Sequence, residues 1–349
     1  MNFPEGLSCP VPKTDYDTIQ LAHGAGGRLT AELVEKFFLP RFDNPILQKL
    51  EDQAQLEFGG GRLAFTTDSF VVDPIFFPGG DIGELAVNGT VNDLAMSGAE
   101  PLWLSVGFIL EEGLPLEELH RVLLSMEQAA KAAGVQIVTG DTKVVNKGTC
   151  DKLYINTSGI GRIPAGVELG AHRIRPGDKI LLSGTIADHG MAVLTSRKGL
   201  AFETRVQSDT AALNDLVQTM LATGGAIKAL RDPTRGGVAA TLNEFAKAAG
   251  VGMRIEEETL PVRPEVKGAC EVLGLDPLYV ANEGKLVAVV AAQDAEQILT
   301  AMRQHPLGKE AVLLGEVVAD HPGIVSLRTL LGVERIVDMP VGEQLPRIC

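Results

Sequence analysis

Carboxylates recur in this 349-residue chain where apolar, strand-like runs end. Asp68 stands in Thr66-Thr67-Asp68-Ser69, and Asp141 in Thr139-Gly140-Asp141-Thr142-Lys143. If the chain stays extended there, Asp141 and Lys143 project to the same side and set an acid beside a base. Magnesium carried by a nucleotide takes only one or two protein carboxylates besides phosphate oxygens and waters, so scattered single aspartates suit it. Each aspartate could equally cap a turn. The run 83–98 adds Asn88, Asn92 and Asp93 to a segment that is otherwise small and apolar nearly all round, as a buried helix is. Asn88 and Asn92 share a face at i and i+4, and a buried Asp93 needs a cation or hydrogen-bond donors to offset its desolvation. A metal–nucleotide site would supply them; the alternative is an internal hydrogen-bond network joining two subunits.

Bare backbone is offered by His23-Gly24-Ala25-Gly26-Gly27-Arg28, which is either a simple turn or a cradle that approaches phosphate closely. No Gly-Lys-Ser/Thr follows, so it is not a Walker A loop. Asp232-Pro233-Thr234-Arg235-Gly236-Gly237 precedes a helical stretch, where Asp232 either caps the helix or faces phosphate at its N-terminus. Ala281-Asn282-Glu283-Gly284 sets an acid beside a glycine at a strand entrance, a pattern that by itself reads as a turn. The last residue is Cys349, at the end of a stretch whose prolines and glycine leave no helical or strand pattern. A thiol there is a poor core residue, and from Pro340 the tail could extend by roughly 30 Å, far enough for one sulfur to visit two places.

Two domains must position these residues. The segment 1–39 carries the glycine-rich loop. A first domain, 40–163, has strands near 63–67, 103–110, 136–139 and 153–163 around helices near 82–97 and 116–133. A Gly/Pro-rich linker over 165–178 opens the second α/β domain, 164–338, with strands near 179–183, 285–291 and 311–316 and helices near 189–196, 213–221 and 237–249. Residues 339–349 form a flexible tail. Strands and helices alternate less strictly than in a Rossmann sheet, which favours an α+β class.

Composition narrows the function. A formal charge of −14 opposes a nucleic acid partner, because phosphate backbones are bound by clustered Lys and Arg. No apolar run reaches the roughly 18 residues of a membrane span, and the N-terminus has no signal-peptide pattern, so a cytoplasmic protein is expected. Cys9, Cys150, Cys270 and Cys349 include no C-x-x-C pair and the six histidines no H-E-x-x-H, so neither a zinc site, a disulfide framework nor a catalytic transition metal is indicated.

On its glycine loop, Thr67-Asp68-Ser69, the helix 87–98, Gly140-Asp141-Thr142-Lys143, Asp232–Gly237, Asn282-Glu283-Gly284 and the ending Pro346-Arg347-Ile348-Cys349, nearly the whole chain resembles the HypE family of carbamoyl dehydratases. The ending discriminates this family from aminoimidazole ribonucleotide synthetase and selenophosphate synthetase, which share the nucleotide-binding parts. The resemblance implies a two-domain, PurM-like fold, a homodimer built through the first domains, and ATP with Mg2+. It also implies carbamoylation of Cys349 by the carbamoyltransferase HypF, dehydration to a thiocyanate, and transfer of cyanide to iron on a HypC–HypD complex for a nickel–iron hydrogenase. In this reading Cys349 carries the group, Glu283 and Lys143 supply the base, and Asp68, Asp93 and Asp141 hold magnesium. His23, Gly24, Gly26, Gly27, Asn92, Thr142 and Asp232 complete the nucleotide site. Two rivals are a selenophosphate synthetase-like enzyme using Cys9, which lacks the expected glycine-flanked Cys-x-x-Lys arrangement, and a non-catalytic thiol carrier.

Overall fold

The computed structural model describes residues 27–38, 45, 47–59, 61–197, 205–342 and 348–349. Its first sheet contains β1 (Ala54–Phe58), β2 (Gly61–Phe70), β3 (Glu100–Glu111), β4 (Gln136–Val145) and β5 (Leu153–Ile163) in the order β1-β2-β5-β3-β4. β3 and β4 run parallel and the other neighbours antiparallel. Alternation gives this sheet two unlike faces: β2 buries Ala64, Thr66 and Phe70 and exposes Phe65, Thr67 and Ser69. Strand β4 runs to Val145 rather than stopping near 139. It is an edge strand, exposed along nearly its whole length, so no alternation of apolar and polar residues marks its second half.

The short helix α1 (Arg28–Leu33) precedes this sheet, and helix α2 (Ile82–Met96) packs on the sheet's inner face and against α3 (Leu116–Ala133). Asp81 starts α2 by accepting from the N–H of Gly83 at 2.7 Å and of Glu84 at 3.2 Å. Gly89 allows the close approach, since a Cβ there would lie 2.9 Å from the Phe70 ring. Being covered on both sides, α2 is buried almost throughout. Helix α3 is one-sided: Val122, Met126, Ala129, Ala130 and Ala133 face inward, and Gly134 ends it in the left-handed region.

The second sheet is built from β6 (Lys179–Leu182), β7 (Ile227–Arg231), β8 (Gly252–Glu256), β9 (Val287–Val290), β10 (Val312–Val318), β11 (Val325–Arg328) and β12 (Glu334–Ile336), ordered β12-β11-β8-β10-β6-β9-β7. Helices cover both of its faces, and the interior strand β9 is apolar and buried at every position. Helix α6 (Gly237–Ala249) packs Val238, Leu242 and Phe245 on one side, and α5 (Asn214–Ala222) and α8 (Ala295–Gln304) cover the other. Between the sheets, residues of α2 and α3 share one core cluster with α4 (Asp188–Thr195) and α7 (Pro264–Leu273). Among the described residues, no helix is long and apolar enough to cross a membrane.

Candidate active site

Five carboxylates from five separate places in the sequence meet at the junction of the two halves. Asp52 just before β1, Asp68 of β2, Asp93 of α2, Asp232 just after β7 and Glu283 just before β9 line one cavity of about 170 Å³ together with Arg235 and Cys349. Asp68 shares the inner face of β2 with Thr66, whose hydroxyl donates to Asp93 Oδ2 at 2.7 Å. That bond fixes the helix carboxylate over the strand carboxylate.

Asn282 joins the other pair. Its Nδ2 donates to Pro233 O at 2.9 Å and Val280 O at 3.0 Å, while its Oδ1 accepts from the N–H of Ala187 at 2.8 Å. The loop after Asp232 is thereby clamped beside Glu283. The segment 205–213 runs directly over Gly284, where a Cβ would come 1.7 Å from Asp209 O, so no larger residue fits. Asp209 Oδ1 accepts from Glu283 N–H at 3.1 Å, and the partly buried Lys285 sits 3.2 Å from Asp209 Oδ2.

Crowding acids in a buried cavity shifts their protonation. Burial first, and then the charges of Asp232 and Asp68, hold the Asp93 and Glu283 carboxyls well above the usual range; Arg235 opposes the shift at Glu283. Asp68 is raised by burial against the same arginine. Asp232 is pushed up to about 8 by burial and by Asp52. Arg235 is held more firmly protonated, chiefly by the negative charge of Cys349. Among the described residues Glu283 Oε1 is buried with no hydrogen-bond partner, which leaves it available as an acceptor.

The chain end lies in this cavity. Ile348 is buried in the interdomain cluster beside Phe70 and Val72, and Val71 N–H donates to Cys349 O at 3.1 Å. Residues 343–347, the middle of the expected tail, lie outside the described residues, as do His23, Gly24 and Gly26. Gly27 is described; the neighbouring Arg28 N–H donates to Pro340 O at 2.8 Å, so the glycine segment abuts the start of the tail.

Within the protomer, two expectations are not met. Asp141, Thr142 and Lys143 do not join the cavity. Register aligns Asp141 with Gly107, Asn156 and Ser69, one residue past Asp68, so it occupies the outer face of the sheet while Asp68 occupies the inner one. Asp141 and Lys143 are exposed and paired at 2.7 Å, so Lys143 and Glu283 are not a coupled pair within the protomer. Asn92 does not face a ligand: its Nδ2 donates to Ala211 O and Glu283 O, and its Oδ1 accepts from Leu213 N–H. The polar residues of α2 thus join the two halves of one chain rather than two subunits. Asp232 caps no helix, for α6 begins after Gly236 with no side-chain cap.

Arg235 and Asp52 had not been singled out. The sequence holds a signal for Arg235, a cation within the motif that carries Asp232; Asp52 sits in an irregular stretch and had none. A larger apolar groove of about 450 Å³ between α3 and the strands β3 and β4 is lined by Val106, Phe108, Leu123, Met126 and Ile137. It lacks the convergent titratable groups that catalysis requires.

The two halves match the AIR synthase related protein family, its N-terminal domain over residues 50–163 and its C-terminal domain over 175–328. Fold and site together define a PurM-like enzyme with its cavity between the domains. Carbamoyl dehydratase HypE of Cupriavidus necator is 55% identical over 332 residues, covering 95% of each chain. HypE in the crystal structure of a HypE–HypF complex superposes with a TM-score of 0.84 at 52% identity, over 88% of this chain and 99% of that one. HypE in complex with ATP gives 0.80 at 51% identity, over 95% and 100%. The chain belongs to the HypE family, the carbamoyl dehydratases of hydrogenase maturation. At that identity neither the selenophosphate synthetase-like reading nor the non-catalytic carrier is favoured.

Proposed function

We propose that the cavity dehydrates an S-carbamoyl group on Cys349 to a thiocyanate, with consumption of ATP. The observation that carries this reading is that Cys349 lines the same cavity as the unpartnered Glu283 carboxylate. Tethering the group to the chain end replaces a bimolecular encounter by an intramolecular one. Nitrile formation takes one oxygen and two N–H protons from the carboxamide; ATP with Mg2+, when bound, would turn that oxygen into a phosphate leaving group. Glu283 accepts one N–H proton as the oxygen departs and the leaving phosphate carries off the other, while desolvation makes the ionised form of Glu283 a stronger base than a carboxylate in water. Arg235 faces the developing negative charge.

The donor set fits magnesium. Asp68, Asp93 and Asp232 are like charges buried together, and a cation would relieve their repulsion. Among the described residues, no three His, Cys, Asp or Glu side chains form a metal cluster by themselves, which suits an ion held largely by phosphate oxygens and waters. One or two of these three aspartates would hold it.

By kinship with the HypE–HypF complex, the carbamoyl donor is a HypF-type carbamoyltransferase, and the cyanide would pass to a HypC–HypD iron carrier. We place this chemistry in the cytoplasm, in a chain divided as 1–39, 40–163, 164–338 and 339–349. We further infer a homodimer through the outer face of the first sheet, where the register across β2, β5 and β3 sets the exposed Phe65, Trp103 and Ile109 on one side. Asp141 and Lys143 then belong to the dimer face, with Thr142 between them on the opposite side of β4. A Trp103→Glu variant is expected to sediment as a monomer with an unchanged circular dichroism spectrum; a dimer of unaltered affinity removes this assignment.

The test of the activity uses the full chain with the carbamoyltransferase, carbamoyl phosphate and ATP. Mass spectrometry of the peptide ending at Cys349 is expected to show a carbamoyl group gained and then a water lost. A peptide that never gains the group, or gains it and keeps its water with ATP present, overturns the proposal.

A further inference from the structure

His189 has no part in the chemistry above, yet it touches the terminal dipeptide. The ring is fully buried at the start of α4, with Nε2 2.6 Å from Ile348 O and Nδ1 2.8 Å from Ser208 Oγ. A carbonyl can only accept, so Nε2 carries the proton and Nδ1 accepts from the Ser208 hydroxyl. Ser208 Oγ in turn accepts from Thr210 N–H at 3.1 Å. Burial holds the ring below the ordinary histidine range, in keeping with one donor and one acceptor nitrogen. Phe77 of the first domain meets the ring edge-on at 5.4 Å and 88°, which fixes its plane. Segment 208–210 also carries Asp209, which holds the Glu283 backbone. One strap therefore orients both the catalytic carboxylate and the histidine that grips the chain end.

We propose that His189 is a positioning residue: by donating from Nε2 to the Ile348 carbonyl it latches the terminal dipeptide in the cavity, and so sets the fraction of molecules whose Cys349 faces Glu283 rather than solvent. Ile348 supplies the apolar part of the grip and Val71 N–H a second hydrogen bond. Removing the donor leaves a buried carbonyl unsatisfied, which corresponds to about a tenfold shift toward the undocked state.

The consequence for catalysis rests on the proposed function, but the latch can be tested without it. The full chain is treated with iodoacetamide, and alkylation of Cys349 is timed by mass spectrometry of its peptide, with Cys150 of the same molecule as the reference thiol. His189→Leu is expected to speed alkylation of Cys349 about tenfold and leave Cys150 unaffected. In His189→Gln a side-chain N–H can take the place of Nε2–H, so its rate should stay near that of the wild type. Ser208→Ala, which loses the hydroxyl that selects the tautomer, should move the rate in the same direction as His189→Leu but less. Equal Cys349 rates in wild type, His189→Leu and Ser208→Ala overturn the latch, as does a glutamine variant that behaves like leucine. Should His189→Leu fail to fold, the comparison of wild type, His189→Gln and Ser208→Ala decides.

Discussion

Glu283→Gln is expected to accept the carbamoyl group on Cys349 at the normal rate and to dehydrate it about 10³-fold more slowly, the usual size of a lost general base. The substitution is nearly isosteric. It keeps the backbone bonds that hold residue 283 to Asp209 and Asn92, so the cavity should retain its shape. What disappears is an oxygen that can take a proton. Mass spectrometry should therefore find the carbamoylated peptide accumulating in the variant, and normal thiocyanate formation would remove Glu283 from the mechanism. The pH profile gives an independent reading. Because burial and the neighbouring aspartates raise Glu283, its base form, and with it the wild-type dehydration rate, should grow with pH above the ordinary carboxylate range. Arg235 lowers that pKa, so Arg235→Met should move the rise to still higher pH.

Asp232→Asn should make the nucleotide-free protein more stable at pH 8, although it damages the site. Asp232 has its pKa raised from 3.8 to about 8 in the fold. Across that interval the folded state holds a proton that the unfolded state releases. Stability from this group is thus complete below pH 3.8 and is lost as pH rises to about 8. The loss is on the order of a few kcal/mol, shared with the coupled acids around it. An asparagine carries no such penalty, so calorimetry should show a Tm several degrees higher at pH 8 and a gain that shrinks toward pH 4. Adding ATP with Mg2+ should raise the wild type more than the variant, since binding offsets the same repulsion. An equal Tm for both proteins at pH 8 would show that the buried charge is neutralised in some other way.

Such a trade of stability for chemistry has a counterpart at Arg231, one residue earlier. That guanidinium is buried, but Asp52 at 3.0 Å, Glu244 and Glu51 surround it, and it ties the irregular segment before β1 to the second sheet. Adjacent residues thus meet opposite fates: Arg231 is compensated by carboxylates, whereas Asp232 is left among acids whose effect Arg231 offsets only in part.

Local sequence determined a good deal here. The period of two in 61–70 and 153–163, the one-sided stripe of 116–133 and the small, mostly apolar residues all round 82–96 specify strands, an amphipathic helix and a buried helix, because each records the solvent exposure of its own residues. The separate motifs holding Asp68, Asp93, Asp232 and Glu283 were visible for the same reason, since polar residues stand out in apolar surroundings. Tertiary structure alone decided which of them meet. A strand pattern shows that Asp68 and Asp141 each lie on a face, but only the register across β2, β5, β3 and β4 puts them on opposite faces. Likewise Asn92 reads as a ligand until the segment 205–213 and the Glu283 backbone close over it and take its hydrogen bonds. Convergence of charges from distant segments depends on how two domains pack, and that information is spread over every residue of their interface rather than written in any one motif.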